Sequence, residues 1–196
     1  MLKLPKEWSV PTDSIISVSG EQIPMPKRKD TKIHLMLTGG TIDSEFEPSS
    51  DTTKVSKKPK IPTYLAKLKL HNKIMDTTLF LKDSREIRYL DRKKLLDAIQ
   101  KSSAKMILVT HGTYTMPDTA QYIKDQIGKT DKTIVFVGSM IPLSGFEYSD
   151  AAFNLGYAVA QLQTLPPGIY VCMNGKVFDP EKVDKNKIAG RFEEVT

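Results

Sequence analysis

The chain has 196 residues, 39% of them hydrophobic and 27% charged, enough to bury a core of ordinary size and in the range of one domain with a tail. Its net charge of +6 comes from one half, since residues 54 to 105 hold 15 Lys and Arg against 5 Asp and Glu; that half lacks interleaved aromatics, an RNA-binding signature or zinc-finger spacing. It therefore reads as a solvated basic face, and nucleic acid is not the expected partner.

The first 30 residues mix Pro, Ser and charge without periodicity, and Pro5, Pro11, Pro24 and Pro26 would each interrupt regular structure. Residues 1–30 are expected to form an arm and residues 31–196 the ordered domain. No stretch there or later approaches the roughly 18 apolar residues of a spanning helix, and no secretory segment is present, so a cytoplasmic protein without a membrane partner is expected. "IHLMLT" (33–38) predicts a first strand, and the polar stretch from Asp43 to Lys60 a mobile loop. "TYLAKLKL" reads as a short helix, "TTLFLKDS" as a second strand, and "DRKKLLDAIQKS" as a helix with Leu95, Leu96 and Ile99 at helical spacing.

The second half is cleaner. "MILVT" (106–110) and "TIVFVG" (133–138) are continuous apolar runs, the mark of strands covered on both faces of a parallel sheet. Between them "TMPDTAQYIKDQIG" offers Thr115 as N-cap, Pro117 in the first turn and Gly128 as a stop. "SDAAFNLGYAVAQLQ" follows as a helix, with Glu147 and Asp150 ahead of it as N-terminal caps. "GIYVCM" is a further strand, in which the single Cys172 is a buried small hydrophobe. Strand and helix alternating in this way predict one α/β domain, a doubly wound, mostly parallel sheet with helices on both faces.

In such a sheet ligands bind outside the carboxyl ends of the strands. Four chemically loaded loops, "TGGTID", "DSRE", "HGTYT" and "GSMIP", fall on that edge. His34, His71 and His111 have no ligand spacing and one cysteine makes no zinc site, so neither a metal nor any other cofactor is expected; His34 reads as a core histidine. "GKT" at 128–130 ends a helix and lacks the leading glycine of a phosphate loop. Hydroxyl nucleophiles remain: Thr38, Thr41, Ser84, Thr113 and Thr115 can converge, with backbone N–H groups around Gly40, Thr41 and Thr113 as a candidate oxyanion hole. Acyl transfer is the reaction class implied.

"LTGGTID", "VTHGTYTMPDTA", "VGSMIPLSGFEYSDAAFNLGYAVA" and "MNGKVFDPEKVDKNKIAGRFEE" together resemble the asparaginase/glutaminase amidohydrolases, in particular short members consisting of the N-terminal domain alone. The resemblance covers roughly residues 33 to 194 and implies a Rossmann-like fold. It implies Thr41 as the nucleophile, Thr113 as the second catalytic threonine, Gly40 in the nucleophile turn, and Asp83 and Ser84 in the segment holding a substrate's α-carboxylate. Two departures stand out: Tyr114 occupies the place of an aspartate that binds the substrate ammonium, and Glu193 falls near the place of a lysine that pairs with the second threonine. Phe46 falls near a loop tyrosine. Lys185, Lys187 and Arg191 are the candidates to replace the lysine.

Two functional expectations follow. One is an amidohydrolase attacking a small amide, asparagine or an analogue without the α-ammonium group, through Thr41, with release of ammonia and with Tyr114 altering specificity at the substrate. The other is a catalytically degenerate small-ligand-binding or oligomer-component protein. A homo-oligomer is expected in either case.

Overall fold

Aliphatic runs without polar alternation need cover on both faces, and β7 (Met106–Thr110) and β8 (Thr133–Val137) are buried at every position. A computed structural model describes residues 14–16, 22–24 and 32–195. The expected arm over residues 1–30 lies outside the described residues, apart from the antiparallel strands β1 (Ser14–Ile16) and β2 (Gln22–Pro24).

The central sheet has six strands among the described residues. Its order is β10 (Lys176–Phe178), β9 (Gly168–Met173), β8, β7, β3 (Lys32–Gly39), β6 (Lys73–Lys82). All neighbours are parallel except the β9–β10 hairpin, and Leu35 sits opposite Leu108, itself opposite Val135. The chain leaves β3 for β6 on one side and returns to β7 on the other. The loops after β3 and β7 consequently diverge at a topological switch point, where such sheets form their ligand crevice.

Period-2 alternation along β3 distributes its side chains to two cores. Met36 joins Ile107, Val109, Ile134 and Phe136 under α2 (Tyr89–Lys101) and α3 (Met116–Ile127), which contribute Leu95, Ile99, Ala120 and Ile123. Ile33, Leu35 and Leu37 join Leu108 and Val135 under α1 (Ile61–Lys67) and α4 (Ala151–Thr164), which contribute Ile61, Leu65, Leu155 and Leu162. Each such buried aliphatic contributes about 1.5–3 kcal/mol of transfer free energy, so the expected layered α/β architecture has a core on both sides of its sheet. His34 is a satisfied core histidine, hydrogen-bonded to Ser102 Oγ at 2.8 Å and Thr77 Oγ1 at 2.9 Å. Cys172 is fully buried, which pushes its thiol up to about 12.

Three local expectations are corrected. The segment from Asp43 to Lys60 is not a structureless loop: it contains the hairpin of β4 (Ser44–Glu47) and β5 (Thr52–Val55), with Asp51 in the left-handed region at its turn. Both its ends are tied to Asp43, whose backbone carbonyl accepts from Ser56 N and whose Oδ1 accepts from Lys60 N at 2.6 Å. Thr115 precedes α3 without capping it by its side chain; its hydroxyl donates to the Ser84 carbonyl at 2.8 Å, while Pro117 presets the first turn. Asp150 likewise makes no side-chain cap to α4. Its carboxylate accepts from the backbone N–H of Met140 and Ile141 and from Asn154 Nδ2, which fixes the loop after β8. Gly128 does end α3, with φ 62°.

Among the described residues no helix is long and apolar enough to cross a membrane. Gly156 lies inside α4 with open space where a Cβ would stand. Gly156→Ala is expected to raise the unfolding free energy by about 0.5–1 kcal/mol, measured by urea denaturation.

Candidate active site

Two glycines let the loops of the switch point touch. Gly39 and Gly40 have φ of 94° and 86°, a region that side chains resist. A Cβ on Gly40 would stand 2.3 Å from the backbone nitrogen of Gly112, so the loops after β3 and β7 meet main chain to main chain. Gly112 in turn leaves room for Ser84, whose Oγ would be 2.8 Å from a Cβ there. Thr38 ties the ends of the two strands together by donating to the Thr110 carbonyl at 2.7 Å. Thr41 and Thr113, each the next residue after one of the touching glycines, therefore emerge at the same edge.

Thr113 is 2% exposed, and the Lys185 ammonium donates to its Oγ1 at 2.7 Å. Lys185 comes from β11 (Val183–Asn186), which pairs with β12 (Arg191–Glu194) in a terminal hairpin. Burial lowers its pKa from the ordinary lysine range; the positive charges of Lys187 and Arg85 push it further down, against the pull of Asp150 and Asp83. A lysine is thus hydrogen-bonded to Thr113. Glu193 does not stand in its place: it accepts from Asn186 Nδ2 at 2.9 Å and pairs with Arg191 Nε at 2.7 Å. Of the three candidate replacements, Lys185 is the one hydrogen-bonded to Thr113. The hairpin register sets Lys185 opposite the buried Phe192, a pairing that the lysine- and arginine-rich composition of the segment does not announce.

Tyr114 is partly exposed and its backbone N–H donates to Ser84 Oγ at 3.2 Å. Its ring lies under three cations: Lys185 Nζ at 4.2 Å, the Arg85 guanidinium at 4.9 Å and Lys187 Nζ at 5.7 Å from the centroid. Asp83 is held by Arg85 through two bonds, Nε to Oδ1 at 2.9 Å and Nη2 to Oδ2 at 2.8 Å. The guanidinium beside it keeps that carboxyl below the usual carboxylate range. Sequence reasoning missed Arg85 and with it the engagement of Asp83.

Thr41, Asp83, Arg85, Tyr114 and Lys185 line a cleft of about 610 Å³ closed along one side by Thr52–Val55 of the hairpin. Phe46 lies on β4 and is not part of that lining. Ser84 is buried beneath it, engaged by Tyr114 and Thr115. Gly40 contributes its turn, but its N–H donates to the Lys82 carbonyl at 2.9 Å and so is not an oxyanion donor. His111 is fully buried, with Nδ1 against the Gly112 carbonyl, and desolvation lowers its pKa to about 4, which keeps the imidazole neutral. A larger cleft of about 800 Å³ runs between the hairpin and α1 and carries neither threonine. Among the described residues no group of three His, Cys, Asp or Glu is placed to hold a metal ion.

This arrangement of threonine-bearing loops at the switch point of a doubly wound sheet has known counterparts. Residues 32–192 match the family described as "Asparaginase, N-terminal", and the chain belongs to that family. It is 35% identical over 96 residues to a glutaminase-asparaginase of Acinetobacter glutaminasificans, a match covering 47% of this chain and 28% of the relative. It is 28% identical over 162 residues to a probable periplasmic L-asparaginase of Haemophilus influenzae, covering 78% of this chain and 46% of the relative. The crystal structure of a probable cytoplasmic L-asparaginase from Campylobacter jejuni superposes with a TM-score of 0.73 at 26% identity, over 83% of this chain and 52% of that one. The chain spans about half the length of these relatives or less.

The contact between Gly40 and Gly112 carries the site's geometry. Gly40→Ala is expected to lower the unfolding free energy by about 2 kcal/mol or more, because the new methyl meets rigid backbone at a strained φ. Chemical denaturation beside the exposed-site control Gly156→Ala measures it.

Proposed function

We propose that the chain is an amidohydrolase that cleaves a small amide, asparagine or an analogue, through Thr41. The Lys185–Thr113 hydrogen bond of 2.7 Å carries this reading. A buried threonine hydroxyl has no need of a lysine for folding, whereas a lysine with a lowered pKa beside a hydroxyl is the arrangement that moves a proton. Thr113 is almost inaccessible while Thr41 lines the cleft, which supports Thr41 as the group that meets the substrate and Thr113 as the relay. In the first step the Thr41 oxygen adds to the amide carbon, and its proton passes by Thr113 to the unprotonated Lys185. The C–N bond then breaks and the nitrogen leaves, protonated, as ammonia. Water cleaves the threonyl ester, restoring the Thr41 hydroxyl and releasing the acid.

The relatives' names support the substrate class, since they are asparaginases and a glutaminase-asparaginase. In the same reading residues 31–196 form the catalytic unit with residues 1–30 as an arm, and the chain self-associates. Self-association is supported by the exposed aromatics Tyr148 and Phe153. A cytoplasmic location draws support from one neighbour's description, while another relative is described as periplasmic. The second reading, a small-ligand binder without turnover, is favoured by one observation: Tyr114 offers no carboxylate and Asp83 is engaged by Arg85.

Ammonia release from asparagine, glutamine and amides without an amino group separates the two. Thr41→Val and Lys185→Gln are each expected to reduce kcat by about 10²–10⁴-fold, the scale of losing a nucleophile or a proton acceptor. No turnover of any amide by the unaltered protein, or turnover unaffected by both substitutions, would refute the hydrolase reading.

A further inference from the structure

The cleft places cations where a ligand ammonium would need anions. Asp83 is bound through both oxygens by Arg85, and the Asp150 carboxylate is taken by the loop after β8. Glu86, exposed beyond Arg85, is the other carboxylate of the lining. Against it stand Arg85 and Lys185 of the lining and, outside the lining, Lys187, all within 6 Å of the Tyr114 ring centroid. Among the described residues neither Lys185 nor Lys187 forms an ion pair with a carboxylate. Arg85 and Lys187, joined by Lys185 whenever it carries its proton, repel one another around one ring, and the ring's quadrupole offsets only part of that repulsion. An anion placed among them relieves it, and an ammonium adds to it.

Building on the amidohydrolase reading, we propose that Arg85 and Lys187, gathered over Tyr114, select an amide whose other end carries a carboxylate and no neighbouring ammonium, such as the monoamide of a four-carbon dicarboxylic acid. The Arg85 guanidinium keeps its Nη1 edge for that carboxylate while Nε and Nη2 hold Asp83, and Lys187 approaches the same ring from β11's end. Tyr114 acts as the platform that holds the cations together and removes the carboxylate an ammonium would need. Lys185 lies nearest the ring but is held to Thr113, so recognition falls to the other two.

Two ligand pairs differ only in the ammonium group: succinamate against asparagine as substrates, and succinate against aspartate as ligands. Ammonia release and titration calorimetry on the full chain are to be compared with Lys187→Gln and Arg85→Gln, both surface changes. Succinamate is expected to exceed asparagine in kcat/KM, and succinate to exceed aspartate in affinity, by at least about tenfold, the scale of one like-charge contact. Each variant is expected to shrink those ratios several-fold, mainly through KM, and Arg85→Gln the more because it also frees Asp83 to meet an ammonium.

Asparagine hydrolysed as well as succinamate, with aspartate bound as tightly as succinate, overturns the selection and leaves the hydrolase reading standing. Ratios unchanged in both variants overturn the assignment to Arg85 and Lys187. Succinate preferred in binding and weakened by the variants, with neither amide hydrolysed, supports the selection while refuting the hydrolase.

Discussion

The close approach of Gly40 to Gly112 is the constraint on which the rest of the site depends. Parallel strands that part at a switch point leave their loops free to diverge, and only residues without a Cβ let two main chains come this near. A Cβ on Gly40 would stand 2.3 Å from the Gly112 nitrogen, so one of the loops that carry Thr41 and Thr113 would have to withdraw. The Thr38 bond to the Thr110 carbonyl and the Gly40 bond to the Lys82 carbonyl hold the same junction from two further sides. Chemistry is thereby positioned by backbone contacts, which rotamer changes cannot loosen.

Around that junction the polar groups divide into those that build and those left for a ligand. Ser84 and Asp150 are of the first kind, since their acceptors satisfy backbone donors in the loops after β7 and β8. In the proposed reading Thr41, Arg85 and Lys185, which line the cleft, and Lys187 beside them are of the second. Their balance of charge differs from what an amino-acid ammonium requires, and the difference rests on two residues. Tyr114 contributes a ring where a carboxylate would be useful, and Arg85 engages the carboxylate that remains at Asp83. The hydrogen bond between Lys185 and Thr113 is untouched by either change.

The fold and the site's location were legible because they follow from local patterns. "MILVT" and "TIVFVG" admit no exposed face, so a sheet covered on both sides is implied, and topology then sends the glycine- and hydroxyl-rich loops to one edge. Gly40, Thr41, Thr113 and Tyr114 follow the carboxyl ends of β3 and β7, at that edge. The hairpin of β4 and β5 was not legible: its residues Glu45, Phe46, Thr53 and Lys54 are exposed and pair with each other, so no apolar period announces them. Lys185 was weighed only as a substitute because the terminal segment is rich in Lys and Arg, and composition alone does not say which cation a hairpin register turns inward. The Arg85–Asp83 pairing and the use of Asp150 were equally hidden. Asp83 accepts from Arg85 N as a cap and still pairs with that guanidinium, whereas Asp150 turns to the loop after β8 instead of capping α4.

The central claim is that Lys185 is partly buried against Thr113 among other cations and so releases its proton more readily than a solvated lysine. Titrating the Lys185 side chain by NMR, with ¹³Cε labelling and Lys185→Gln to assign the signal, tests it directly. The account predicts a midpoint below the 10.5 of an ordinary lysine, moving upward when Lys187 is replaced by Gln. A midpoint at or above 10.5, indifferent to Lys187, would contradict it.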